Sequence, residues 1–211
     1  MSFYLTKTTS LSYLLSGLTN TEKEILDRMK AEVEAYMTAT EPEGLLKCLA
    51  SSFNETTKLG FEESVPVLKN FFSFIRHRIQ DGSPHEFKRL LVLVDFFLRS
   101  CGFRAQVLIG RKKFLDTVYD AAKKYSKVPL SNAQESAFVA VNYLEEWSDS
   151  FSDYREEFPY YGEVYNKARM NIRVRYSGSP GGSDSGEAEK PKITIDLLAL
   201  SKKYPSLAFN S

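Results

Sequence analysis

The chain has 211 residues, of which 43% are hydrophobic and 13% aromatic, so it can bury a substantial core in one domain with extensions or two small ones. Its 28 Lys and Arg against 27 Asp and Glu give a formal net charge of +1, so no global field favours nucleic acid. Apolar runs are far shorter than the roughly 20 residues of a membrane span, and the N-terminus does not resemble a signal peptide.

Catalytic and metal-binding side chains are scarce. The only cysteines are Cys48 and Cys101, both in apolar surroundings where a cysteine is usually a small buried hydrophobe. The only histidines, His77 and His85, lie in a basic run and after a turn, and phosphate-loop and dinucleotide glycine patterns are absent. We therefore expect a reduced, cytoplasmic protein that is not an enzyme and has no metal or other cofactor.

Helical patterns fill the first third of the chain. Apolar residues at spacings of three and four predict an amphipathic helix over 21–37. The stretch EPEGLLKCLASSF predicts a short second helix that ends near Asn54. FEESVPVLKNFFSFIRHRI predicts a third helix, with Pro66 in its first turn, where a missing N–H costs little.

The middle of the chain contains the most apolar helix. DGSP (81–84) predicts a stop and restart, and the helix that follows over 85–100 has only Asp95 as a polar residue between Leu90 and Leu98. A helix that is apolar on all faces is expected at the centre of a helical stack. Gly102 is expected to end it with a left-handed φ, and Gly110 to end the short helix FRAQVLI.

Three further helices complete the predicted stack. RKKFLDTVYDAAKKY forms the first, and Ser131 or Asn132 is expected to cap the second. The inward ridge of the second is predicted to consist of Phe138, Val141, Leu144, Trp147 or Ser148, and Phe151. FPYYGEVYNKARMNI forms the last. With about eight helices joined by short loops, the sequence predicts an all-α stack resembling an α-solenoid.

The composition changes sharply after this stack. Residues 177–191, SGSPGGSDSGEAEKP, are rich in Gly, Ser and Pro and predict a flexible linker. The apolar tail that follows, 192–211, is too short to fold alone. It must dock on the domain, dock on a partner, or remain loose.

Five stretches in order resemble the VHS domain, a membrane-traffic module of endosomal and Golgi adaptors. They are FIRHRIQDGSP, LVDFFLRSCG, GRKKFLDTV, YLEEWSDSF and FPYYGEVYNKARMNIRV. The resemblance implies a right-handed superhelix over 41–176, preceded by an N-terminal extension over 1–40. It also implies a cytoplasmic adaptor, peripheral on endosomal or Golgi membranes, that binds cargo sorting signals or ubiquitin.

Two other interpretations remain open. The related CID domains share the helical stack and bind the phosphorylated tail of RNA polymerase II. A structural assembly subunit that pairs with itself through the 21–37 helix is the other alternative.

The basic run at the start of the 111–126 helix is the main candidate site. Three cations at a helix N-terminus favour an anion. The resemblance implies that this helix and the last one hold acidic-dileucine signals, with candidate contacts at Arg111, Lys112, Lys113 and Tyr119. Asp116 on the same helix is expected to repel such a signal.

Three further sites are predicted from the resemblance and from local charge. Ubiquitin would contact exposed residues of the 85–100 helix, with candidates Phe87, Lys88 and Leu91. Phosphoinositide head groups would meet the cations Arg76, Arg78, Lys88 and Arg89. A segment loosely similar to a clathrin-binding box contains Asp196, Leu197, Leu198 and Leu200.

Overall fold

The computed structural model of the chain describes residues 17–59, 61–173 and 192–195, with the backbone alone at 61–63. Its helices are α1 (Asn20–Thr38), α2 (Glu43–Lys58), α3 (Phe61–Asp81), α4 (Pro84–Ser100), α5 (Gly102–Ile109), α6 (Lys112–Ser126), α7 (Ser131–Ser150) and α8 (Pro159–Asn171). A short 3-10 turn, Ser152–Tyr154, precedes α8, and these described ranges contain no β-strand. The prediction of an all-α fold with about eight helices is confirmed.

The chain divides into two compact units, Met1–Phe74 and Ile75–Ser211. In the first unit, α1 and α2 pack against each other in antiparallel directions. Ser52 Oγ donates a 2.8 Å hydrogen bond to Glu32 Oε1, and Arg28 forms an ion pair with Glu55 one turn further along each helix. The amphipathic pattern over 21–37 therefore marks a helix of this unit that is packed along one face.

Two details of α2 and α3 differ from the predictions. The helix α2 continues past Asn54 to Lys58, because Thr56 in its polar end is fully buried and donates a 2.9 Å hydrogen bond to the Ser52 carbonyl. Pro66 lies inside α3 and not in its first turn, since that helix begins at Phe61.

The helix α4 begins with strong local signals. Ser83 Oγ accepts a 3.3 Å hydrogen bond from the Glu86 amide, while Glu86 Oε2 accepts a 2.8 Å bond from the Ser83 amide. Pro84 occupies the first turn, where its missing N–H is tolerated. The helix buries eight residues and packs against α5 and α7, as expected of an apolar central helix.

The capping box predicts a dependence of stability on pH. Hydrogen bonds from the Ser83 backbone and hydroxyl lower the pKa of Glu86, and the charge of Arg78, whose Nη2 lies 3.0 Å from Glu86 Oε1, lowers it further. A carboxylate with a depressed folded-state pKa stabilises the protein above its unfolded pKa of about 4.3, and this contribution is lost as the pH falls through the folded value. We expect Glu86→Gln to be less stable than wild type at pH 7, with the difference shrinking in urea titrations as the pH falls below about 4. A difference that does not shrink as the pH falls would contradict this.

Asp95, the one polar residue in the apolar centre of α4, joins α4 to α7. Asp95 Oδ2 accepts a 2.8 Å hydrogen bond from Arg99 Nε, and Asp95 Oδ1 accepts a 3.0 Å bond from Trp147 Nε1. Burial opposes the charged form of Arg99, but its hydrogen bond and charge pairing with Asp95 outweigh this effect and raise its pKa. Arg99 also pairs with Glu146. The buried carboxylate of Asp95 thus accepts hydrogen bonds from both the Arg99 guanidinium and the Trp147 indole.

The elbow after α4 has the backbone that the sequence predicts. Gly102 has a φ of +66°, in the left-handed region, and Cys101 caps the end of α4. Cys101 is buried, and burial raises the pKa of its thiol to about 12. Cys48, in contrast, is exposed, so the expectation that both cysteines are buried is wrong for this one. Its position on the outer face of α2 was not evident from its apolar neighbours in sequence.

This difference predicts selective thiol labelling. At pH 8, the exposed Cys48 should react with an aromatic disulfide reagent within minutes, whereas Cys101 should react only when the protein unfolds, because the thiolate is the reactive species. The release of thiolate chromophore in native buffer and in urea measures both. A Cys48→Ser variant should lose the fast phase, and fast labelling of that variant would contradict the burial of Cys101.

The face of α7 that points inward also differs from the prediction. Leu144, Trp147 and Phe151 are buried as expected, but Phe138 is 39% exposed and Val141 is only half-buried. The first half of the helix instead buries small residues, Ala133, Ser136, Ala137 and Ala140. These allow close approach to a neighbouring helix. No side chain caps α7, so the prediction of a Ser131 or Asn132 cap is wrong.

An aromatic cluster closes the second unit between α7 and α8. Phe151 stacks on Tyr161 with ring centroids 4.1 Å apart, and Phe158 lies 4.9 Å from Phe151. Tyr161 also donates a 3.1 Å hydrogen bond from its hydroxyl to the backbone carbonyl of Gln106. This cluster fixes the start of α8 against the end of α5.

Candidate peptide-binding site on α6 and α8

The helices α6 and α8 pack side by side and run parallel. Near their N-terminal ends, Lys112 Nζ lies 5.9 Å from the centroid of the Tyr160 ring. Two turns further along, Lys167 Nζ lies 4.3 Å from the centroid of the Tyr119 ring. Residues three and four apart share one helical face, so cations and aromatic rings of both helices form one continuous surface. We call this surface the α6/α8 face.

Tyr119 forms the floor of this surface. Its side chain is only 2% exposed, and its ring lies beneath Lys167 and, at 5.5 Å, beneath Lys123. A cation over an aromatic ring is attracted by the negative face of the ring, so Tyr119 holds both lysines in place. The sequence prediction named Tyr119 but missed Lys123 and Lys167. The spacing of Tyr160 and Lys167 by seven residues was the signal that could have placed the latter on this face.

The three predicted cations are all exposed at the N-terminal end of the α6/α8 face. Arg111 is the N-cap of α6, and its guanidinium forms no ion pair within the part of the chain that the structure describes. The residue as a whole is exposed, but its guanidinium is partly buried. This partial burial lowers the pKa of Arg111. An anion would compensate this partly desolvated cation.

Asp116, expected to repel an acidic ligand, is neutralised. Its Oδ1 accepts a 2.8 Å hydrogen bond from Lys167 Nζ, a residue 51 positions later in the sequence. This bond raises the pKa of Lys167 and so favours its charged form further. The pair removes most of the local repulsion that the isolated sequence of α6 suggests.

The candidate ubiquitin contacts are placed differently from the expectation. Phe87 and Leu91 are fully buried, so neither presents an apolar surface to a partner, and both belong to the core of the second unit. Lys88 Nζ lies 2.9 Å from Glu135 Oε1 on α7. The exposed apolar side chain on this helix is Val92, at 42%.

The cations proposed for phosphoinositides do not form one group of free charges. Arg78 and Lys88 each pair with a carboxylate, of Glu86 and Glu135 respectively. Arg76 lies beside His77, with Nη2 and Nε2 3.5 Å apart, and Arg89 is half-buried. The candidate clathrin-binding residues Asp196, Leu197, Leu198 and Leu200 lie outside the described residues.

Metal-binding clusters and membrane-spanning helices are both absent from the described residues. Over residues 17–59, 61–173 and 192–195, no group of three or more His, Cys, Asp and Glu could hold a metal ion. Within the same ranges, none of the helices combines the length and the apolar composition needed to cross a membrane.

The described helices thus form an all-α fold in which α6 and α8 present a charged and aromatic face. A family model for the VHS domain matches residues 64–171, just over half of the chain, and the chain belongs to this family. VHS domains are interaction modules of the trafficking-adaptor or CID-like type. No curated protein and no solved structure matches the chain significantly.

Proposed function

We propose that the chain acts as an adaptor domain in vesicle traffic and binds short acidic sorting signals at the α6/α8 face. In this role it works in the cytoplasm, at endosomal or Golgi membranes. The observation that carries the proposal is the exposed run Arg111 to Lys113 beside α8, with Asp116 neutralised by Lys167. Each contact is weak, so clustering of cargo on a membrane supplies avidity.

The charge distribution favours the α6/α8 face over the surface of α4 as the binding site for an anionic peptide. Near α4, the cations Arg78, Lys88 and Arg99 each pair with a carboxylate. A phosphorylated polymerase tail bound beside the central helix would have to break these pairs. The cations at the start of α6 are available without such a cost.

A peptide titration tests the proposal. A fluorescent peptide with acidic residues followed by two leucines should bind the full chain, and Arg111→Glu/Lys113→Glu should weaken binding at least ~10-fold, a difference of about 1.4 kcal/mol. Affinity should also fall as salt rises from 50 to 300 mM, because exposed charges are screened.

The matched control is Lys124→Glu/Lys127→Glu, the same change in charge at the opposite end of α6, where both lysines are exposed. This variant should bind the peptide within about 2-fold of wild type, since it lies more than a Debye length of about 10 Å along the helix from the start of α6. Equal losses in both double variants would show that net charge alone attracts the peptide. Tighter binding of a phosphorylated serine-rich peptide would favour the polymerase-tail alternative.

A further inference from the structure

The segment Lys192–Ile195 lies against the second unit through a contact distant in sequence. The Thr194 carbonyl accepts a 2.9 Å hydrogen bond from Gln106 Nε2 on α5, 88 residues earlier. Ile193 and Ile195 are half-buried, whereas Lys192 and Thr194 are exposed. Burial that alternates at every second residue is typical of an extended segment with one face against the protein.

Gln106 is held rigidly at this contact. It is fully buried, and its Nε2 also donates a 3.1 Å hydrogen bond to the Leu98 carbonyl at the end of α4. Its own backbone carbonyl accepts the bond from the Tyr161 hydroxyl. Its Oε1, also buried, has no hydrogen-bond partner among the described residues. A buried acceptor without a donor is unfavourable, so the contact with Lys192–Ile195 leaves the hydrogen-bonding capacity of Gln106 only partly used.

We propose that the surface around Gln106 is a binding site for an extended peptide strand, and that Lys192–Ile195 is its ligand in cis. In an extended strand, the N–H and C=O of one residue point to the same side. A primary carboxamide presents a donor and an acceptor side by side and can pair with both. Gln106 makes the carbonyl half of this pairing with Thr194, whereas Oε1 stays without a donor while Lys192–Ile195 occupies the site.

The covalent connection makes the ligand in cis effective. The stretch 174–191 between α8 and the strand can span about 60 Å when extended, enough to reach a site on the same unit. Tethering gives an effective concentration on the order of millimolar, so even weak strand binding keeps the site filled. A partner strand with β-branched residues at alternate positions would have to displace the chain's own segment.

A competition experiment with the full chain tests the site. Ile193→Asp/Ile195→Asp should eject the strand without altering any helix. A fluorescent peptide of residues 190–197, KPKITIDL, should then bind this variant at least ~10-fold more tightly than wild type, whose site is occupied. The control Lys192→Ala/Thr194→Ala changes only exposed side chains and should behave as wild type. Equal affinity for wild type and the aspartate variant would overturn the proposal.

Two changes test the role of the Gln106 carboxamide. In the Ile193→Asp/Ile195→Asp background, Gln106→Leu should weaken peptide binding ~3–10-fold, because the hydrogen bond from Nε2 to the Thr194 carbonyl is lost. A peptide with an ester in place of the Thr194–Ile195 amide should bind ~3–10-fold more weakly than the unmodified one, because an ester carbonyl is a weaker acceptor for Nε2. This second comparison uses unaltered protein helices, so it decides the question even if Gln106→Leu fails to fold. Undiminished binding of the ester peptide would overturn the assignment of the Thr194 contact. Binding of an acidic peptide at the α6/α8 face is independent of these changes.

Discussion

Replacing Asp95 with alanine is expected to lower the free energy of unfolding of the second unit by about 3–5 kcal/mol, the cost of breaking a buried ion pair from one side. The side chains of Asp95 and Arg99 are 8% and 7% exposed, so water replaces little of the lost interaction. The indole N–H of Trp147, which is fully buried, loses its acceptor as well. Trp147 is the only tryptophan, so its fluorescence during urea denaturation reports on this unit directly.

One further variant separates the charge of Asp95 from its hydrogen bonds, and a second provides a surface-pair control. Asp95→Asn keeps an oxygen for Trp147 but leaves Arg99 without its buried countercharge. The free energy of unfolding of this variant should therefore lie between those of wild type and Asp95→Ala. Glu135→Ala removes a partner of Lys88 from a pair whose side chains are 27% and 40% exposed. Such a surface pair contributes about 0–1 kcal/mol. If Asp95→Ala cost no more than Glu135→Ala, the buried network would not hold α4 to α7.

Local signals explain why much of the fold could be predicted from the sequence. The DGSP turn and the left-handed Gly102 are local signals, and the bounds of α4, predicted as 85–100 and observed as Pro84–Ser100, followed from them. The inward face in the first half of α7 was predicted wrongly, because small side chains and not the large ones are buried there. Alanines at 137 and 140 are buried while Phe138 is exposed.

The sites depend on pairs that no local pattern contains. Lys167 neutralises Asp116 from 51 positions away, and Gln106 meets Thr194 across 88. The cations of α6 could be found from the sequence because a run of charges is visible there. Whether Asp116, the acid near these cations, has a countercharge depends on the packing of α8 against α6.

Gly110 ends α5 as predicted, but the structure gives a different reason for the glycine. Its φ is −65°, which any residue tolerates. A Cβ at this position would lie 2.9 Å from the Gln106 carbonyl oxygen, 2.9 Å from Tyr161 Cε2 and 3.3 Å from Phe158 Cδ1. Both aromatic side chains are buried and cannot move away freely. Gly110→Ala is therefore expected to cost about 1–3 kcal/mol through overpacking, measured by urea denaturation followed at Trp147.

Gly102 provides the matched control, because a glycine is required there by its backbone conformation and not by the space around it. No atom lies within 4 Å of a Cβ built there, and the cost of Gly102→Ala, about 1–2 kcal/mol, comes from its φ of +66°. Asparagine tolerates the left-handed region, so Gly102→Asn should recover part of that loss. At Gly110 the larger asparagine should be worse than alanine, since the limit is space beside Tyr161. The same order of stabilities at both positions would contradict this distinction between conformational and steric glycines.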